Sequence, residues 1–178
     1  GGNDPGKIGV DNVKEKDVNL QIALCLKAQL QARGVKVILT REGDVCLATN
    51  GATNKKVSDM HNRVSLINAS GADYMISIHQ NSYPEAEISG PQVFYYGSSE
   101  MSKKLAEAIQ AQLIVDLQPP KEREIKTGND LYILKNSQCP GVIVECGFLS
   151  NPTECENLQN PQYQQAVAAA IARAICKL

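Results

Sequence analysis

The stretch from Tyr74 to Asn81 constrains this chain most: an apolar run, Tyr-Met-Ile-Ser-Ile, carries His79 to its end and turns polar at Gln80 and Asn81. A short apolar run between Gly71 and a polar loop reads as a buried strand. Strands of that kind lie in sheets covered by helices, and an open α/β sheet presents its ligand-binding groups at strand carboxyl ends. His79 therefore stands where chemistry is expected. The other histidine, His61, lies in a polar stretch before an amphipathic helix, with no apolar strand beneath it. The structural alternative for His79 is a core imidazole hydrogen-bonded to a neighbouring loop.

The surrounding sequence has an α/β rhythm. The turn cluster Asn3-Asp4-Pro5-Gly6 leads into a helix expected over Lys16 to Arg33, closed by Gly34. Val35 to Thr40 is β-branched and reads as a strand, and Glu42 to Lys56 as a long polar loop. Ser58 is the expected N-cap of a helix bearing Met60, Val64 and Ile67. Val93 to Tyr96 reads as a short strand. Ser98 or Ser99 then opens a helix with Met101, Leu105, Ile109 and Leu113, which Pro119-Pro120 ends. Gly141 to Val144 is a second buried strand delivering Glu145, and a last helix starts at Pro161. With 178 residues and 43% hydrophobic content, one domain spanning 1–178 is expected, an α/β fold whose central, mostly parallel, twisted sheet is flanked by helices.

A formal net charge of -1, from 18 basic and 19 acidic residues, gives no electrostatic footprint for nucleic acid. No apolar run reaches the roughly 20 residues of a membrane span. The six cysteines form no C-x-x-C pair, so they read mainly as buried thiols, with a Cys139 to Cys155 disulfide left open.

Two strand ends, His79 and Glu145, and one helix start, Glu15, supply a histidine and two carboxylates that can converge on one sheet edge. A catalytic zinc takes three protein ligands of these kinds, and a separate carboxylate accepts the proton of water. The three residues fit no compact motif, and each has a structural reading. Glu15 at a helix start can be a surface carboxylate favoured by the helix dipole. Glu145, following Val142-Ile143-Val144, can be the buried partner of Arg63.

Asn3-Asp4-Pro5-Gly6, Glu15-Lys16-Asp17-Val18-Asn19-Leu20, Asn62-Arg63 leading to Asn68, Ser77-Ile78-His79-Gln80-Asn81 and Val144-Glu145-Cys146-Gly147-Phe148-Leu149-Ser150-Asn151-Pro152 together resemble the zinc-dependent N-acetylmuramoyl-L-alanine amidases. The resemblance covers essentially the whole chain and is nearest to the short germination or spore-cortex members of spore-forming bacteria. It implies Zn2+ as cofactor, Glu15 and His79 as metal ligands, and Glu145 as the catalytic carboxylate. It also implies a first strand and a first histidine ligand upstream of Gly1-Gly2. The implied reaction is hydrolysis of the amide between muramic acid and L-alanine in peptidoglycan. The protein would then be exported to the cell wall or forespore surface, with an accessory protein as a further possible partner.

Two other readings compete. Cys146 with His79 can form a thiol hydrolase, although neighbours on a strand face opposite ways, so Cys146 should face the core if Glu145 faces the crevice. A non-catalytic wall- or partner-binding module is the other, and the presence of Glu145 argues against it.

Overall fold

The computed structural model describes residues Gly1–Leu178. After a 3-10 turn at Val10–Asn12 come α1 (Glu15–Gln31), α2 (Lys55–Ala69), β1 (Met75–Asn81), β2 (Gln92–Tyr95), α3 (Glu100–Leu117), β3 (Lys126–Thr127), α4 (Tyr132–Asn136), β4 (Gly141–Phe148), α5 (Pro152–Gln159) and α6 (Pro161–Ile175). The sheet order is β1-β4-β2-β3. β1 with β4 and β2 with β3 run parallel, while β2 with β4 runs antiparallel, so the sheet is mixed with parallel pairings in the majority.

β4 explains the architecture. Its residues are buried almost throughout, and they divide with a period of two: Val142, Val144 and Cys146 enter one apolar cluster and Ile143 the other. The larger cluster lies under α1, α3 and α6 and includes Ile22, Leu105, Ile109 and Ile171. The smaller one lies under α2 and α4, through Val64, Ile67, Ile133 and Leu134. β1 obeys the same alternation, with Ile78 toward the first cluster and Met75 toward the second. His79 on β1 and Glu145 on β4 both share parity with the α2 side. Gln80 takes the α1 side.

Several sequence expectations need correction. Val35 to Thr40 forms no strand: residues 36–40 make no backbone–backbone hydrogen bond, because no strand runs alongside. The segment still alternates, with Val35 and Val37 packed on the larger cluster and Ile38 exposed. The cap of α2 is Asn54, whose side chain accepts from Val57 N–H, while Ser58 Oγ instead accepts from Thr49 N–H. Ser99 caps α3 as expected. β4 continues through Phe148, so Glu145 lies inside the strand, and α5 follows on an Asn151 cap and Pro152. All six cysteines are free thiols.

Candidate active site

His79 and Glu145 are register partners on adjacent parallel strands, and shared parity points both side chains to one face. Glu15, the first residue of α1, reaches the same place from the helix start. Its carboxylate is no surface group: the residue is only 7% exposed. Glu15 Oε1 lies 2.8 Å from His79 Nδ1, and Oε2 accepts from the backbone N–H of Lys7 at 2.8 Å. Oε1 also accepts from Asn19 Nδ2 and from Gln80 N–H, each at 3.3 Å. An ionised carboxylate only accepts, so Nδ1 of His79 carries the shared proton.

The entering loop is shaped around this carboxylate. Gly6, at φ +70°, lies where a Cβ would collide with Glu15 Oε2, so both the backbone conformation and the space require glycine. Lys7 then turns its N–H inward, and its carbonyl accepts from Glu15 N–H at 3.0 Å. The turn cluster that reads as a loose loop in sequence therefore builds one wall of the site.

The three groups differ in charge. Burial works against an ionised Glu15, but the His79 hydrogen bond and charge, with the Lys7 and Asn19 hydrogen bonds, win and hold its pKa at about 2. Loss of water pulls the His79 pKa down, and the hydrogen bond to Glu15 with the charges of Glu145 and Glu15 outweigh it, leaving it above the usual value. Glu145 is pushed up to about 7 by burial, with repulsion from Glu15 adding and His79 opposing. Its Oε2 is buried without a hydrogen-bond partner. A buried polar atom left unpaired beside an exposed imidazole edge is a group held ready for something absent from the chain itself.

The structural alternatives fall away on geometry. Arg63 does not pair with Glu145: its guanidinium is held by Asp59 at 2.6 Å and by Thr40 Oγ1 at 3.1 Å. Cys146 is fully buried in the larger cluster, and burial drives its thiol pKa upward, so it supplies no thiolate to His79. His61 stacks on Tyr132 with ring centroids 5.3 Å apart and joins no catalytic group.

As a metal centre the site is partly furnished. The Glu15 carboxylate and the His79 imidazole are groups of the kinds zinc takes once the shared proton leaves, they converge to hydrogen-bond distance, and Glu145 is the register partner of His79 on the adjacent strand. No group of three His, Cys, Asp or Glu donors is gathered by these 178 residues, so the pair fits two places of a three-ligand set. The supporting roles of Gly6, Lys7, Asn19 and Gln80 were not read from sequence. Asn19 had one signal available: it lies four residues after Glu15, one helical turn along the same face.

Known proteins share this arrangement of chain. The family description N-acetylmuramoyl-L-alanine amidase matches residues 1–177. The chain is 41% identical to the germination-specific N-acetylmuramoyl-L-alanine amidase of Bacillus subtilis, over 99% of this chain and 75% of that protein. It superimposes with a TM-score of 0.95 on the CwlD amidase of Clostridioides difficile, solved in complex with the GerS lipoprotein, at 38% identity over 99% of this chain and 92% of that one. A second amidase, from Clostridium difficile 630, gives a TM-score of 0.89 at 30% identity, covering 99% of this chain and 90% of that one. A match this complete in sequence and in fold makes the chain a member of the N-acetylmuramoyl-L-alanine amidase family, an amide hydrolase of peptidoglycan.

Proposed function

We propose that this amidase is zinc-dependent and cleaves the bond between N-acetylmuramic acid and L-alanine in spore-cortex peptidoglycan. The observation that carries the reading is the buried, unpartnered Glu145 Oε2 beside the Glu15–His79 pair. Glu15 and His79 would hold the ion, as two of the three protein ligands that a catalytic zinc takes. When bound, zinc supplies a Lewis acid that lowers the pKa of water and polarises the scissile carbonyl.

The chain's own residues do the rest. Glu145 takes the proton of the attacking water on its carboxylate and delivers it to the leaving nitrogen of L-alanine. A pKa near 7 suits a group that must accept and then release a proton at neutral pH. The register of β1 against β4 sets its distance from His79, and the α1 start holds Glu15 in place. The cortex assignment is supported by the name of the Bacillus subtilis relative, a germination-specific amidase, and a cortex substrate would require the enzyme to act outside the cytoplasm. The GerS complex of the Clostridioides difficile relative supports an accessory lipoprotein as a partner here.

Glu145→Gln tests the assignment. It keeps size and removes the proton acceptor, so turnover on cortex muropeptides should fall by about 10² to 10⁴-fold while bound zinc is retained. A zinc-loaded variant that cleaves as the parent does would end the general-base role, and activity indifferent to chelation would end the zinc dependence.

A further inference from the structure

Gln80 is the second residue with a buried polar side-chain atom left unpaired. It is 2% exposed, its Oε1 has no partner, and it lies on the α1 side of β1, away from the face that carries His79. Apolar side chains fill most of that side of the sheet, with the buried Cys146 thiol also beside the Gln80 amide, so an amide here needs a reason. Its Nε2 donates to Asn19 Oδ1 at 3.1 Å, and Asn19 Nδ2 donates to Glu15 Oε1 at 3.3 Å. The Gln80 backbone N–H donates to the same Oε1 at 3.3 Å.

The chemistry fixes the direction of this chain. Glu15 accepts only, so Asn19 must present its NH₂ to it; Asn19 then offers only its carbonyl to Gln80, which must answer with NH₂. The orphaned Gln80 Oε1 is the consequence. Reversing the Gln80 amide would set two carbonyl oxygens face to face and release Asn19 to rotate. We propose that Gln80 and Asn19 are positioning residues, a two-amide relay that holds Glu15 in the rotamer facing His79 and so preorganises the metal-ligand pair. The relay touches no reacting atom. Its bearing on zinc rests on the reading of Glu15 and His79 as ligands, and its bearing on Glu15 does not.

The test uses Gln80→Leu, which keeps volume and removes the unpaired oxygen, and Asn19→Ala, which sits on a helix and tolerates truncation. In metal-free protein the ¹⁵N shift of His79 Nδ1 reports its hydrogen bond to Glu15, and competition with a chelating dye reports affinity for Zn2+ alone. Both substitutions should move the Nδ1 shift and weaken Zn2+ binding by about 10 to 100-fold, the usual effect of losing groups that orient a ligand. The double variant should lose little more than the worse single one, since both break one chain. Gln80→Leu should melt no lower than the parent, which separates positioning from general structural damage. Parental Nδ1 shifts in both folded variants would overturn the relay. Additive losses of Zn2+ affinity would also overturn it. Absence of Zn2+ binding in the parent, with Nδ1 shifts that respond to both substitutions, would remove the zinc reading and uphold the relay.

Discussion

At the scale of the residue, Glu145 carries a cost that the fold accepts. Its unfolded carboxyl titrates near 4.5 and its folded one near 7, so the native state holds a proton that the unfolded state has released across that interval. The metal-free protein should therefore lose stability as pH rises from about 4.5 to 7, with no further change from this group above 7. The penalty is on the order of 3 to 4 kcal/mol, from about 1.36 kcal/mol per pKa unit. Glu145→Gln cannot ionise and escapes it. Urea unfolding of both proteins should give similar stabilities near pH 4.5 and a more stable variant at pH 8; a variant no more stable at pH 8 would show that the carboxylate is better solvated than its burial suggests. Asp59, by contrast, is held below its usual pKa despite the desolvation that opposes this, because Arg63 and the Leu47 N–H satisfy it. A paired acid and an unpaired one thus shift in opposite directions although burial pushes both upward.

At the scale of the element, α5 ties the loop after β1 to the end of β4. Glu154, capped into the helix start by Asn151, accepts from Gly90 N–H and from Phe148 N–H, both at 2.8 Å and both buried. Arg123 closes the same corner, its guanidinium 4.8 Å over the Phe148 ring and its Nε donating to Ser89 carbonyl. Glu154→Ala leaves two buried donors without acceptors, at about 1 to 3 kcal/mol each. Thermal or urea unfolding should show a loss in that range or up to twice it, and hydrogen exchange at Gly90 and Phe148 should quicken with it. Unchanged exchange at those two amides would mean that water already satisfies them. None of this corner was legible in sequence, since nothing in the residues around Glu154 names the loop 64 residues earlier that its carboxylate holds.

At the scale of the whole molecule, the site joins the N-terminal loop and α1 to strands more than 60 residues later, so a ligand bound there should brace the fold. An ion that binds only the native state at 100 times its Kd adds about 2.7 kcal/mol. For a chain of this size that corresponds to a rise in Tm of about 5 to 10 °C. Zinc added to the protein should produce that rise, EDTA should reverse it, and His79→Ala should abolish it; a Tm indifferent to zinc and to EDTA would place the ion elsewhere or nowhere. The long helices and buried strands could be read from the sequence because their signals are local: period-four apolar faces in α3 and α6, unbroken apolar runs in β1 and β4, and strand-borne His79 and Glu145; the short α4 and α5 could not. Motifs likewise carried the family and its implied chemistry. Partnership could not be read this way, because a segment's own residues do not say what lies beside it. Val35 to Thr40 has strand composition and no neighbour to complete a ladder; β2 joins the β1–β4 pair antiparallel, alongside β4; and Arg63 chooses Asp59, one helical turn away, over Glu145. Only the tertiary structure brings Glu15, Asn19, His79, Gln80 and Glu145 together, since contacts across such sequence separations depend on how the layers pack against one another.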